Sequence, residues 1–480
     1  MTIAELKPYP DQRKSTMPWL PALPAHWSIR RAKTLFREID RRTSDGRQPL
    51  LSLRMHAGLV DHHASGGKII PPSALVGYKR VLPGELVMNR MRAAIGLFAG
   101  ATTEGLVSPD YAVFQVEPTV SLPYAVHLFR TPIMGSVFRM ESRGLGTGES
   151  GFLRLYSDRF GMLPIPLPPP SEQAAIVRFL DHANRRIDRF IRAKKKLIAL
   201  LNEQKQAIIH RAVTRGLDPN VPMKDSGVPW LGEVPAHWDV LQLGRLCTAR
   251  CDGPFGSGLK SVHYTDSGVR VVRLQNIGSN EFRNKVSAYI SSHHYSTLGD
   301  HSVVAGDLLV AGLGDEKVPA GRACVAPDNL GPAMVKADCF RFRPKHQKNL
   351  AEYLAVHLSA TAPAATACLS SGATRLRINL AATASRAVSV PPQNEIFGIL
   401  TYIGNATSPI RRFIDENQKE IELIREYRTR LIADVVTGQL DVREAVKGLP
   451  VEDVDGGEPV DAGDEIDEAE IDDSEQDEAA

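Results

Sequence analysis

Long apolar runs are missing from this 480-residue sequence. No stretch approaches the ~20 residues that a membrane-spanning helix needs, and residues 1–20 are polar and proline-containing rather than an apolar leader core. Cysteine is scarce too, and its five copies are scattered and odd in number, which excludes a dense disulfide framework. Cys247 and Cys251 lie close together, but no CxxC pair or histidine pair completes a zinc-ligand set. We therefore expect a cytoplasmic protein with no membrane association and no bound metal.

Nucleotide-binding motifs are also missing. Glycine-rich segments occur at 144–148 and 252–258, but neither ends in the Lys-Ser/Thr pair of a phosphate-binding loop. Neither has the strand–GxGxxG–helix context of a dinucleotide fold. Glycine in such segments instead lets the backbone approach another surface closely. The sequence gives no reason to predict a catalytic residue or a cofactor.

The net charge of +3 conceals a strong asymmetry, because 15 acidic residues and no Lys or Arg lie in 451–480. The remaining residues, 1–450, hold 58 Lys and Arg against 40 Asp and Glu, a net charge of +18. Such a basic body favours a polyanionic partner. We expect the tail to be a disordered acidic extension that aids solubility; shielding of the body by DNA mimicry is the alternative.

All four tryptophans lie in one repeated segment. The ten residues at 18–27, PWLPALPAHW, return at 229–238 as PWLGEVPAHW with seven identities. A second repeat aligns 167–218 with 390–441 without a gap, at an offset of 223. Each half of the chain therefore has the same order, a variable block followed by a helical block. Shared scaffolds with divergent inserts indicate two similar tasks performed on two different targets.

The two variable blocks share only short matches. Segment 83–87 is echoed at 305–309, and Arg154-Leu155 is echoed by Arg375-Leu376. Short β-branched runs bounded by Gly, Asp and Pro predict strands and turns in both blocks. Each block is therefore predicted to be a mixed α/β domain.

Both helical blocks carry apolar residues at steps of four and three over more than four heptads, which predicts two matching coiled-coil seams. The predicted apolar seam residues are Ile176, Leu180, Ile187, Phe190, Leu197, Leu201 and Ile208, then Ile399, Ile403, Ile410, Phe413, Ile424 and Leu431. A polar residue interrupts each seam at the same register, Lys194 in the first and Asn417 in the second. Ser408-Pro409 resembles a cap followed by a first-turn proline, so the second helix is expected to restart there.

Two seams in one chain can bury each other as an antiparallel intramolecular coiled coil; a helical-bundle core or a homodimer zipper is the alternative. Helices of roughly 28 to 40 residues would rise about 40 to 60 Å. Two reading domains at the ends of such a spacer would contact half-sites one or more DNA turns apart. The pattern thus predicts a two-part DNA target with an unread gap.

Basic residues near the glycine-rich segments and the shared matches are the candidates for DNA contact. Arginine can pair with guanine edges, and Lys and Arg neutralise phosphates. The candidates are Arg90, Arg92, Arg143, Arg154, Lys260, Arg273, Arg322, Arg375 and Arg377. For any one of them a solvated surface charge or a phosphate contact is the alternative to base reading.

The ordered duplication resembles the specificity subunit of type I restriction–modification systems. The shared features are the Pro-Trp-Leu…Pro-x-His-Trp segments, the Gly-Asp/Glu-Leu stretches at 84–86 and 306–308, the Asp-Gly-Pro-Phe-Gly-Ser loop at 252–257 and the Leu-Pro-Pro-Pro-Ser-Glu-Gln junction at 167–173. The second junction, 391–396, departs from that pattern, and the acidic tail lies outside it. The resemblance covers nearly all of 15–445.

This resemblance implies an α+β fold, in which two mixed α/β target-recognition domains are joined by two long antiparallel coiled-coil helices with an internal pseudo-twofold duplication. The predicted divisions are 1–165 for recognition domain 1, 166–217 for spacer helix 1, 218–388 for recognition domain 2, 389–445 for spacer helix 2 and 446–480 for the acidic tail. It also implies double-stranded DNA, two methyltransferase subunits and restriction (motor) subunits as partners. The methyl transfer from S-adenosylmethionine and the ATP-driven steps would belong to those partners.

Two other classes of protein are possible from the residues alone. A fused methyltransferase or nuclease would carry its own chemistry, but each Pro-Pro pair, at 71–72, 169–170 and 391–392, lacks the Asn/Asp-Pro-Pro-Tyr/Phe motif of adenine methyltransferases. A coiled-coil scaffold would have no reason for so basic a body. The resemblance favours a non-catalytic subunit that reads DNA.

Overall fold

A computed structural model describes residues 6–55, 57–145, 152–315, 317–345, 349–369 and 376–450. Contacts divide the chain into a first unit, residues up to Ala193 together with those from Glu420, and a second unit, Lys194–Lys419. Each unit holds one variable block and parts of both long helices. Residues 451–480, most of the tail predicted to be disordered, lie outside the described residues, as does Arg375. Val446, which the predicted division places in the tail, is buried.

Short strands and helices precede the first long helix. The strands are β1 (Gln12–Met17), β2 (Leu20–Pro24), β3 (Ser28–Arg31), β4 (Phe36–Ile39), β5 (Leu51–Arg54), β6 (Gly58–Asp61), β7 (Lys79–Val81), β8 (Leu86–Met88), β9 (Phe98–Gly100), β10 (Gly105–Val107), β11 (Ala112–Val116), β12 (Arg143–Leu145), β13 (Phe152–Arg154) and β14 (Pro164–Leu167). The helices are α1 (Ala32–Leu35), α2 (Leu122–Phe129), α3 (Pro132–Glu141), α4 (Ser157–Met162) and the long α5 (Pro170–Arg215).

The second half repeats this order with different inserts. Its strands are β15 (Met223–Asp225), β16 (Glu233–Pro235), β17 (Asp239–Gln242), β18 (Cys247–Cys251), β19 (Tyr264–Thr265), β20 (Val269–Val272), β21 (Tyr289–Ile290), β22 (Ser302–Val303), β23 (Leu308–Ala311), β24 (Leu313–Gly314), β25 (Ala323–Val325), β26 (Ala333–Val335), β27 (Cys339–Pro344), β28 (Leu376–Arg377) and β29 (Ala387–Val390). Its helices are α6 (Ser292–Ser296), α7 (Leu350–Leu369), α8 (Leu380–Ser385), the long α9 (Gln393–Val436) and α10 (Arg443–Lys447).

The same antiparallel sheet lies at the centre of each unit. Its strand order is β4-β11-β8-β9 in the first unit and β18-β27-β23-β25 in the second. A second pair, β3 with β14 and β17 with β29, joins the start of each variable block to its end. The second unit adds a five-stranded sheet, β19-β21-β20-β26-β22. The duplication predicted from the repeats is therefore present in the topology, and the inserts account for the divergence.

The repeated His-Trp pair anchors each variable block to the first turn of a long helix. In the first unit, Trp27 Nε1 donates a hydrogen bond of 2.9 Å to Glu172, and His26 Nε2 lies 2.7 Å from the same carboxylate. In the second unit, Trp238 Nε1 and His237 Nε2 lie 3.0 Å and 2.7 Å from Glu395. The buried indole N–H needs such an acceptor, which explains why these residues recur together.

In each unit, a buried tyrosine hydroxyl connects the end of one long helix to the strand that precedes the other long helix. The Tyr124 hydroxyl lies 3.1 Å from the carbonyl oxygens of both Pro166 and Val436. The Tyr353 hydroxyl lies 3.2 Å from the carbonyl oxygen of Val213 and 2.9 Å from the carbonyl oxygen of Ser389. Val213 and Val436 occupy matching positions of the second repeat. Each unit therefore takes the end of one long helix and the start of the other.

The two long helices run antiparallel where they pack in each unit. In the first unit, Ile176 and Leu180 near the start of α5 share a core with Leu431 and Val435 near the end of α9. In the second unit, Ile209 near the end of α5 shares a core with residues at the start of α9. This confirms the predicted antiparallel pair and mixed fold. Among the described residues, no helix is long and apolar enough to cross a membrane.

The predicted seam is wrong at two matching positions. Phe190 and Phe413 are 42% and 46% exposed, whereas their neighbours Ile191 and Ile414 are buried. A helix with 3.6 residues per turn drifts from a strict 3.5-residue repeat by ~20° per heptad, so the buried stripe moves to the next residue. The other predicted seam residues are buried or half-buried: Ile176, Leu180, Ile187, Leu197, Leu201, Ile208, Ile399, Ile403, Ile410, Ile424 and Leu431.

The polar positions of the seam meet each other. Lys194 Nζ donates a hydrogen bond of 2.8 Å to Asn417 Oδ1, and Asn417 is buried. The two residues are partners across the offset of 223, so the contact joins equivalent positions of the two helices. Buried polar pairs of this kind fix the alignment of helices at some cost in stability.

The expected restart of the second helix at Ser408-Pro409 is wrong. α9 continues through Pro409 from Gln393 to Val436. Pro409 and Asn405, whose carbonyl loses its helical donor, are both exposed, so water can hydrate that carbonyl.

Candidate nucleic-acid interface

Three of the predicted DNA-binding arginines come together in the first unit. In the hairpin of β12 and β13, Arg143 lies directly opposite Arg154. The backbone N–H of Leu155 donates to the carbonyl of Arg90 at 2.9 Å, which places Arg90 beside the hairpin. Like charges directly opposite each other destabilise a strand pair, and a bound anion relieves that repulsion. The strand pair therefore brings two of the predicted arginines side by side.

Acidic side chains hold two of these arginines. Arg154 Nη2 lies 3.3 Å from Asp110 Oδ1, and Arg90 Nη2 lies 2.5 Å from Glu38 Oε1. Arg154 is 27% exposed, so its guanidinium reaches the surface while one side faces Asp110. The ion pair restricts the direction in which the guanidinium points.

In the second unit, Arg377 has the corresponding arrangement. Its Nε donates a hydrogen bond of 2.9 Å to Asp338 Oδ1, and its Nη2 lies 2.8 Å from the same oxygen. The guanidinium lies 5.8 Å from the ring centre of Phe255, in the glycine-rich loop. Asp338 and Phe255 are functional candidates that the sequence did not signal, because each is far from Arg377 along the chain.

The register of the central sheets makes Arg154 and Arg377 equivalent. The N–H of Leu155 donates to the carbonyl oxygen of Arg90, just beyond β8. The N–H of Ile378 donates at 2.8 Å to the carbonyl oxygen of Gly312, just beyond β23. The predicted match of Arg154 with Arg375 is therefore wrong by two residues. That match followed sequence identity alone, whereas the two backbone hydrogen bonds align Leu155 with Ile378.

Their acidic partners are equivalent as well. Ala112 of β11 pairs with Met88, and Phe340 of β27 pairs with Val310, the matching residue of β23. Asp110 and Asp338 each lie two residues before that pair. An Arg–Asp ion pair thus occurs at the same place in both units, but the two pairs differ in detail. Arg154 lies 3.3 Å from Asp110, which is 55% exposed, whereas Arg377 is hydrogen-bonded to Asp338, which is 15% exposed.

Arg322 is not available for DNA contact. Its side chain is buried, and Nε donates to the carbonyl oxygen of Ile277 at 2.8 Å. The two Nη atoms donate to three further backbone carbonyls, at 3.0 to 3.1 Å. The guanidinium satisfies backbone acceptors in the interior, which no local sequence pattern predicts.

No described hydrogen bond joins the other predicted DNA-binding residues to the Arg154–Asp110 pair or to the Arg377–Asp338 pair. Lys260 is exposed, and Arg273 is half-buried with its backbone N–H bonded to Asn276 at 2.9 Å. Arg92 is half-buried and precedes a short 3-10 turn, Ala93–Ile95. A DNA role for these three residues, and for Arg143, stays a prediction.

The half-buried carboxylate of Asp252 links the glycine-rich loop to the second ion pair. The Asp252 side chain accepts hydrogen bonds from the backbone N–H groups of Gly253 at 2.7 Å and Asp338 at 2.9 Å. Burial raises the pKa of Asp252 to about 6, and the neighbouring Asp338 charge adds to this rise. The loop that carries Phe255 is thereby held against the residue that holds Arg377.

Replacing Asp252 by asparagine should stabilise the protein at pH 7.5 but not at pH 4. The raised pKa means that the folded state binds the proton more tightly, so the wild type loses stability as pH rises from about 4 to about 6. The amide keeps an acceptor oxygen and removes the buried charge. We expect a gain of about 1–2 kcal/mol at pH 7.5, discounted for partial exposure. Urea unfolding of the wild type and the variant at pH 4 and pH 7.5 measures this difference in the free energy of unfolding.

The exposed Asp328→Asn variant is the control and should change stability little at either pH. An equal gain for Asp252→Asn at pH 4 and pH 7.5 would show that the buried charge is not the cause.

The sequence matches no family model and no curated protein. Solved structures do match. A chain from a structure concerned with complex assembly and conformational transition of the type I R-M system is 15% identical, with a TM-score of 0.60, and the match covers 87% of this chain and 99% of that one. The HsdS subunit from Thermoanaerobacter tengcongensis is 15% identical, with 87% and 98% covered and a TM-score of 0.42. The type I restriction–modification S subunit from M. genitalium is 12% identical, with 88% and 98% covered and a TM-score of 0.33. The first of these likenesses shows that this chain has the fold of a type I restriction–modification system chain, which confirms, at the level of the fold, the resemblance drawn from its repeats.

Proposed function

We propose that this chain is the sequence-recognition subunit of a type I restriction–modification complex and performs no chemistry itself. Each unit would read one half of an asymmetric, two-part DNA site. One observation carries the proposal: a duplicated frame presents an equivalent arginine in two otherwise divergent variable blocks. Two related readers with different surroundings are what an asymmetric site of two halves requires.

The proposed partners are two methyltransferase subunits and restriction (motor) subunits, which would supply the methyl transfer and the ATP-driven steps. The fold match is to a chain of a type I R-M system described in terms of complex assembly.

Sequencing of bound DNA tests the reading role directly. The purified full chain, alone and with a methyltransferase subunit of the same system, is incubated with a pool of random duplex DNA, and the retained duplexes are sequenced. We expect a single asymmetric motif of two short halves around a constant gap. Affinity for that motif should fall steeply with salt but stay above that for a scrambled duplex at each concentration.

Two results would contradict the proposal. Binding without sequence preference that disappears with added salt would indicate a coiled-coil scaffold with a basic surface. Methylation or cleavage of the retained DNA by the isolated chain, with S-adenosylmethionine or Mg²⁺ supplied, would indicate a fused enzyme.

A further inference from the structure

We infer that Arg154 and Arg377 are equivalent guanine-reading side chains, one in each unit, and that Asp110 and Asp338 are the positioning residues that aim them. The inference rests on the proposed function and names the residues that determine specificity within it. Its basis is the recurrence of one ion pair at one place in the duplicated frame, next to the central sheet.

The geometry at Arg377 leaves the reading edge of the guanidinium turned away from its partner. Nε and Nη2 lie on one edge of the group, and that edge faces one oxygen of Asp338: Nε donates a hydrogen bond to it, and Nη2 lies 2.8 Å from it. The other edge, formed by Nη1 and the second hydrogen of Nη2, is the fork that pairs with O6 and N7 of guanine. Arg377 is half-exposed, whereas Asp338 is 15% exposed, so the supporting acid lies beneath the arginine.

The support is itself fixed. The backbone N–H of Asp338 donates to the half-buried Asp252 carboxylate, so Asp338 cannot follow a displaced guanidinium without breaking that bond. Phe255, more than half exposed, lies close enough to the guanidinium for a cation–π contact. Held from two sides, the side chain loses less conformational entropy when it binds a base edge.

Stability does not account for the two ion pairs. Pairs between partly exposed side chains contribute about 0–1 kcal/mol. In the first unit, Arg143 lies opposite Arg154 in the strand pair, and Asp110 offsets part of their combined positive charge. A base edge flanked by phosphates would give each arginine an acceptor, because Arg154 would bind the base and Arg143 a phosphate.

Phosphate contact is the alternative role for these arginines, and it gives a different result. A phosphate contact carries no sequence information, so its loss weakens all duplexes alike and lowers the salt dependence. Loss of a guanine reader relaxes the preference at one position of the motif.

The test uses the full chain and the same random duplex pool, with the variants Arg154→Gln, Arg377→Gln, Asp110→Asn and Asp338→Asn. Each arginine variant should lose the guanine preference at one position, in one half of the motif only, and the two variants should affect different halves. Affinity for the wild-type motif should fall roughly 10- to 100-fold. Each aspartate variant should relax the same position as its arginine, by a smaller factor.

The exposed Arg37→Gln and Arg250→Gln variants, on β4 and β18, are the matched controls and should keep the motif. Thermal unfolding identical to the wild type shows that a variant is folded. A motif unchanged in Arg154→Gln and Arg377→Gln, or a uniform loss over all sequences, would overturn the inference while the wild-type motif still supports the proposed function. Absence of a motif in the wild type itself would instead refute the proposed function, and the inference with it.

Discussion

Replacing Glu172 by alanine should lower the free energy of unfolding by about 3 kcal/mol, whereas Glu395→Ala should lower it by about 1 kcal/mol. Both carboxylates accept hydrogen bonds from a tryptophan and a histidine, but Glu172 is 5% exposed and Glu395 is 35% exposed. Glu172 also accepts a short hydrogen bond from the Tyr9 hydroxyl, whose pKa is raised by burial and by this contact. Loss of the Glu172 carboxylate leaves Tyr9, His26 and Trp27 without their acceptor, and Tyr9 and Trp27 are buried. At Glu395, water can replace the lost oxygen.

Urea unfolding followed by tryptophan fluorescence measures the difference, because all four tryptophans lie in the two repeated segments. Glu203→Ala, an exposed substitution on α5, is the control and should change stability by less than about 0.5 kcal/mol. Equal losses at Glu172 and Glu395 would show that burial does not set the strength of these anchors.

Replacing Phe160 by alanine should destabilise the first unit by about 3–5 kcal/mol. Phe160 is fully buried, and its ring centre lies 5.1 to 6.3 Å from those of five other phenylalanines. Removal of the ring opens a cavity in a cluster that cannot easily collapse, and the edge contacts between rings are lost as well. Phe160→Leu keeps most of the volume and should cost less than about 1.5 kcal/mol.

Met162→Ala is a control in the same helix, α4, because Met162 is 48% exposed. It should lower the free energy of unfolding by less than about 0.5 kcal/mol. Circular dichroism during urea unfolding compares the three variants. A Phe160→Ala loss no larger than that of Met162→Ala would mean that the aromatic cluster does not carry the core of the first unit.

The sequence alone determined the architecture, because its signals are local or periodic. The repeat of the His-Trp pair and the offset of 223 established the duplication, and the heptad pattern established two helices of matching register. Glu172 and Glu395 match across the same offset, but their contacts with the His-Trp pairs were not predicted from the sequence. The basic body of the chain indicated a polyanionic partner without any knowledge of the fold.

Only the tertiary structure decided which residues of that frame are buried, paired or exposed. The buried position is Ile191 rather than Phe190 because helical drift accumulates over many turns. Arg322 donates to the backbone carbonyls of Leu274 and Ile277, in a distant segment, and to that of Leu313, nearer in the chain. The equivalence of Arg154 with Arg377 depended on strand register, since loops of unequal length hide the alignment. Burial and pairing are set by contacts between residues far apart in the chain, and a single sequence records periodicity but not those contacts.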